Sequence, residues 1–103
     1  MPEEGEGGTA GRRRRAPFST YRIQLTPDFG FADVAALAPY LRDLGVSHVY
    51  LSPVLQATPH SRHGYDVTDH SRIREEFGGA GGLRALSATL AEHGLGIVLD
   101  IVP

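Results

Sequence analysis

The chain has 103 residues, no cysteine and a formal net charge of −2. That length fits at most one domain. The missing cysteines exclude a disulfide framework and a thiolate metal site. The near balance of charge excludes a global pull toward nucleic acid or anionic lipid.

Residues 1–17 are rich in glycine and charge and poor in apolar side chains, so they are expected to form a disordered tail. Arg12 to Arg15 do not begin an export signal, because no apolar stretch of about 7–15 residues follows. No run approaches the ~20 apolar residues of a membrane span. A cytoplasmic protein with no membrane or nucleic-acid partner is expected.

Next in order, STYRIQL (19–25) is β-branched and aromatic and predicts a strand. TPDFGF reads as a turn. Asp33 is placed to cap a helix over 34–44, whose Val34, Leu37, Leu41 and Leu44 share one face. Gly45 ends that helix. VSHVYLSPV predicts a second strand, closed by Pro53. Residues 60–72, HSRHGYDVTDHSR, then read as a long polar loop with little to bury except Val67. GGAGG leads into a helix over 83–93, with Leu83, Leu86 and Leu90 on one face and Gly94 at its end. LGIVLDIV is a nearly continuous apolar run, as expected of a parallel strand covered on both faces. The segments 41–53 and 90–103 echo each other as helix end, glycine, strand and proline.

Strand, helix, strand, helix, strand predicts an α/β fold with a parallel sheet and right-handed crossovers. Such sheets carry their functional loops at the carboxyl ends of the strands. The polar loop starts just after the second strand, so it belongs at that edge. Because the chain stops at Pro103, directly after a buried-strand signal, it is expected to be the amino-terminal piece of a larger protein.

Tyr65 in the loop offers an aromatic face to the C–H patch of a pyranose ring. Asp66 and His63 offer hydrogen-bond partners for its hydroxyls. The competing reading is an ordinary surface loop in which Asp66 and Asp69 make turn hydrogen bonds. His60 and His63 with Asp66, Asp69 or His70 follow no regular ligand spacing, and no metal site is expected. Asp100 interrupts an apolar strand. A carboxylate there needs a partner, either as a residue serving the site or as a structural ion pair with Arg22. His48 reads as a satisfied rim residue.

STYRIQL (19–25), LGVSHVYLSPVLQATP (44–59), HGYDVTD (63–69), FGG (77–79) and GLGIVLDIVP (94–103) together resemble the opening of the maltooligosyl trehalose synthases. These form a branch of the α-amylase superfamily, glycoside hydrolase family 13. HGYDVTD marks the superfamily, whereas STYRIQL with GVSHVYLSPVLQATP is more specific to the trehalose-forming branch. The resemblance implies a (β/α)₈ barrel, of which residues 18–103 hold three strands and two helices. It implies intramolecular transglycosylation on a maltooligosaccharide, with no cofactor. Tyr65 would stack on sugar, Asp66 would bond ring hydroxyls, His63 would line the pocket, and Asp100 would orient neighbouring groups. The nucleophile and the acid/base carboxylate would come from later strands, beyond Pro103, leaving this chain alone inactive. His70, Arg74 and Glu75 depart from the family's usual Pro, Asn and Pro, and Arg62 stands where Thr is more usual. Two alternatives stay open: a hydrolase of the same superfamily, or a non-catalytic carbohydrate-binding module.

Overall fold

A computed structural model describes residues 18–58 and 61–101. The expected tail, residues 1–17, lies outside the described residues. So does Pro103, the proline that completes the second of the two echoed segments. In chain order the elements are β1 (Thr20–Ile23), α1 (Phe31–Ala36), α2 (Ala38–Leu44), β2 (His48–Leu51), β3 (Leu55–Ala57), β4 (Val67–Ile73), a 3₁₀ turn (Glu75–Phe77), α3 (Gly79–Glu92) and β5 (Gly96–Leu99).

The three strands anticipated from the sequence form one parallel sheet in the order β1-β2-β5. Thr20, His48 and Gly96 align at one end, and Ile23, Leu51 and Leu99 at the other. Side chains alternate across a strand. One face therefore carries Ile23, Val49 and Leu51, all buried in a single cluster with Val34, Leu41, Leu86 and Leu90 from the helices. Each such fully buried aliphatic side chain contributes about 1.5–3 kcal/mol. The opposite face carries Arg22, Tyr50 and Val98, and its alternation continues past the strand ends to Gln24 and Asp100. The first helix-to-strand joint and its echo share a device: Gly45 (φ 90°) and Gly94 (φ 74°) turn the chain from helix into strand in the left-handed region.

Four expectations are corrected. The helix over 34–44 is two helices, broken at Leu37. Pro39 has no N–H to bond back to Ala35, so the first helix stops and a second starts with Pro39 in its first turn, where the missing donor costs nothing. The break turns Leu44 out of the expected face, and it is half exposed. Asp33 does not stand before the helix. It lies within the first turn of α1, where its Oδ2 accepts from the Gly30 N–H at 2.9 Å, the reach-back half of a capping box. Asp33→Ala is therefore expected to cost about 1 kcal/mol, read as a lowered thermal midpoint.

The polar loop is largely a hairpin. β3 and β4 pair antiparallel, with shifts of register on either side of Gln56. Helix α3 begins four residues earlier than expected, at Gly79, so the glycine run forms its first turn. Phe31 fixes this start: a Cβ on Gly82 would lie 3.2 Å from the Phe31 ring, and the ring meets Phe77 edge-on at 5.9 Å. Among the described residues β5 pairs with β2 alone, and its side chains range from half-buried to exposed.

Arg74, at the end of β4, is fully buried. Its guanidinium stands 4.7 Å over the Phe77 ring, and its Nε donates to Glu76 Oε1 at 2.7 Å. The backbone around it is tied in as well. Arg74 N–H donates to Val54 O at 2.8 Å, and its carbonyl accepts from Phe77 and Gly79. Its departure from the family pattern thus sits in the joint between hairpin and helix. Among the described residues, no helix is long and apolar enough to cross a membrane.

Candidate functional site

The carboxyl ends of β1 and β5 and the loop closing the hairpin meet at one place. β1 supplies Arg22 and then Gln24, two residues apart and so on the same face. β5 leads into Asp100, whose backbone N–H donates to Leu51 O at 3.1 Å and continues the sheet one step. Residues 61–66, which lead into β4, carry Tyr65 over both.

Tyr65 is 44% exposed, so its ring is available while its hydroxyl is held. The hydroxyl donates to Asp100 Oδ2 and accepts from Arg22 Nη2 at 3.0 Å. Arg22 Nη1 lies 3.5 Å from Asp100 Oδ2, which is the ion pair foreseen for this carboxylate. The guanidinium rests 5.1 Å from the centre of the Tyr50 ring and donates to Gln24 Oε1 at 3.3 Å. The Asp100 hydrogen bond, which favours the neutral phenol, is the main reason the Tyr65 titration lies above that of an ordinary tyrosine; Arg22 opposes it.

His63 stacks on Tyr65, with centroids 5.9 Å apart and planes 17° from parallel. Its Nδ1 accepts the Tyr65 N–H at 2.9 Å, leaving Nε2 as the ring's donor. Gln24 Nε2 reaches the Arg62 and His63 carbonyls at 3.1 and 3.2 Å. Arg62 Nη1 pairs with Asp28 at 3.1 Å. Strand β1 and the turn after it therefore hold this loop from below. Gly64, at φ 80°, lets the loop pass Pro53, where a Cβ would stand 3.2 Å from the Pro53 carbonyl oxygen.

Asp66 is turned into the loop. One carboxylate oxygen accepts from Ser61 Oγ at 2.6 Å and the other from Thr58 Oγ1. Asp69 likewise accepts from the Ser71 N–H at 2.9 Å and its Oγ at 2.6 Å. The ordinary turn bonding foreseen for both aspartates is thus present. Ser61, and after it Thr58, hold Asp66 below the usual carboxylate range, about 3.9 in an unfolded chain. The resulting support for the loop is complete above that value and is lost as pH falls through the lower, folded one. Ser61→Ala is expected to raise the Asp66 midpoint toward the unfolded value, followed through its side-chain carboxyl resonance.

Three of the four anticipated side chains, Tyr65, His63 and Asp100, converge around one hydroxyl and one ring stack, and Asp66 braces the loop behind them. Sequence reasoning placed Arg22 only as an ion-pair partner and passed over Gln24, Ser61 and Thr58. Two polar residues at i and i+2 in the strand STYRIQL were the available sign for the first pair. His48 is satisfied as expected, with Nδ1 2.7 Å from Ser47 Oγ. It lines a separate cavity of about 410 Å³ with Phe18, Leu95 and Gly96, at the amino ends of the strands. Among the described residues, no three His, Asp or Glu side chains are grouped to hold a metal ion; His60 lies outside them.

A family model described as alpha amylase, catalytic domain, matches residues 32–103. A maltooligosyl trehalose synthase of Mycobacterium tuberculosis is 51% identical over 90 residues, which are 82% of this chain and 12% of that protein. The solved maltooligosyltrehalose synthase of Arthrobacter ramosus superposes with a TM-score of 0.81 at 49% identity, over 84% of this chain and 12% of that one. An alpha-amylase from Geobacillus thermoleovorans gives 0.74 at 21% identity, over 82% and 22%, a likeness of fold alone. The chain spans about 12% of the length of the first of these relatives.

Proposed function

This chain belongs to the alpha-amylase catalytic-domain family, and from that premise we propose that it supplies the first strands of a trehalose-forming transglycosylase. Its parallel strands and intervening helices are those of part of a (β/α)₈ barrel. The observation that carries the reading is the exposed Tyr65 ring, held by its hydroxyl between Arg22 and Asp100 at the carboxyl ends of the strands.

The substrate is a maltooligosaccharide. Its reducing-end α-1,4 bond breaks at C1, the glucose released turns within the site, and its own anomeric hydroxyl attacks the same carbon. An α,α-1,1 bond forms and no co-reactant is consumed. Tyr65 stacks on the sugar whose C1 reacts. His63 Nε2–H donates to a hydroxyl at the rim. Asp100 orients the phenol and the groups beside it. Asp66 shapes the loop, and any lone pair left free by Ser61 and Thr58 accepts from a ring hydroxyl. No cofactor takes part, and we place the protein in the cytoplasm. Retention of configuration at C1 takes a nucleophilic carboxylate and an acid/base carboxylate about 5–5.5 Å apart. Neither role falls to a residue of these 103, and we assign both to strands that follow Pro103 in the intact enzyme.

The test is incubation of maltopentaose with the intact enzyme carrying these residues. A non-reducing product of unchanged length is expected. Shortened chains with a rising count of reducing ends would instead identify a hydrolase and overturn the reading. The 103-residue chain by itself is expected to leave maltopentaose unchanged.

A further inference from the structure

Tyr65 lies on a hairpin loop that is itself exposed, yet a stacking surface must be held at a fixed tilt to be useful. What holds it comes from β1. We infer that Arg22 is a positioning residue, which clamps the Tyr65 hydroxyl and the Asp100 carboxylate together and so sets the angle of the ring toward the sugar. This inference rests on the carbohydrate reading of the site.

The geometry of the clamp needs a guanidinium. Nη2 donates to the phenol oxygen at 3.0 Å, while Nη1 faces Asp100 Oδ2 at 3.5 Å. One planar group thus meets both members of the Tyr65–Asp100 pair. The plane is supported by the Tyr50 ring at 5.1 Å and turned by Gln24 Oε1 at 3.3 Å. Tyr50 is the β2 residue in register with Arg22, so the shelf and the clamp follow from strand pairing. Gln24, the next residue on that face, also grips the carbonyls of residues 62 and 63, immediately before the segment that carries the ring. A lysine offers one compact charge on a flexible stem and cannot reproduce a planar group with two donors directed at two partners.

Arg22→Lys, Arg22→Met, Tyr65→Phe and the Arg22→Met/Tyr65→Phe double variant are to be compared in the intact enzyme. Misplacement of a substrate-contacting group by about 1 Å costs on the order of 10²-fold. Each single variant is accordingly expected to lower kcat by about 10- to 100-fold, with KM little changed. The double variant is expected to be no slower than the worse single one, because residues acting through one contact are not additive. Spectrophotometric titration supplies a readout that needs no substrate. The Tyr65 step, identified by its loss in Tyr65→Phe, should move to higher pH in Arg22→Met. Unchanged kcat in Arg22→Lys, additive losses in the double variant, or an unmoved Tyr65 step would each overturn the inference. A wild-type enzyme that leaves maltooligosaccharides untouched would instead overturn the functional reading, while the titration still reports on the clamp.

Discussion

Tyr65→Ala is expected to lower kcat/KM for maltooligosaccharides by about a hundredfold or more, on the scale by which loss of substrate placement slows a reaction. The substitution removes three things at once. The apolar face proposed for the sugar goes, along with the stacking partner of His63 and the hydroxyl that joins Arg22 to Asp100. Without the phenol, Arg22 and Asp100 still face each other at 3.5 Å, so the ends of the sheet are expected to keep their shape. The thermal midpoint should therefore change little while turnover collapses. Steady-state kinetics and a melting curve on the same preparation check both halves of that statement. Turnover equal to wild type would remove the ring from the site.

The largest effect on stability is expected at Gly30, a residue remote from any chemistry. It is buried at the start of α1, and a Cβ there would stand 2.7 Å from the Phe77 carbonyl oxygen and 3.0 Å from the Phe77 Cα. Both atoms are backbone and cannot rotate aside. Gly30→Ala must push α1 away from the 3₁₀ turn, loosening the edge-on contact between Phe31 and Phe77 and the Asp33 bond to the Gly30 N–H. Forced overpacking of this kind costs about 1–3 kcal/mol, and the upper end is expected here because the obstacle is main chain. Denaturant midpoints of the intact protein measure it. Gly45→Ala is a useful contrast: nothing lies within 4 Å of a Cβ there, and only the positive φ of 90° opposes it.

Strands β2 and β5 were legible because each is an apolar run that begins just after a glycine, and β1 because STYRIQL is β-branched and aromatic. Helix α3 was legible through Leu86 and Leu90, both buried as their spacing requires. The hairpin was not. β4 reads VTDHSRI and buries little on either side, so no alternation of apolar and polar residues marks it. Its pairing with β3 is a matter of backbone hydrogen bonds and two shifts of register, which no side-chain pattern encodes. Gly79 to Gly82 read as a linker because glycine lowers helix propensity. The close approach of Phe31 that makes glycine necessary is a contact between distant parts of the chain. The burial of Arg74 was not legible either, because its type favours solvent and the tie that draws it in, its N–H to Val54 O, joins residues far apart in the chain. In the site, residue types suggested Tyr65, Asp66 and His63, since an aromatic with polar partners beside it suits a sugar, and Asp100 stood out as a carboxylate in an apolar strand. The reach of Asp66 back to Ser61 and Thr58 depended on how the hairpin closes.

The contacts on the Tyr65 hydroxyl join residues 43 and 35 positions apart in the chain. Loops of that length close slowly, and the more a structure depends on such pairings the later it forms. The ring cannot take its final tilt until β5 has docked beside β2 and brought Asp100 with it. Tyr65 is thus a built-in clock: in refolding, its environment should mature after the helices do, and a saccharide should find nothing to stack on until that last strand has arrived.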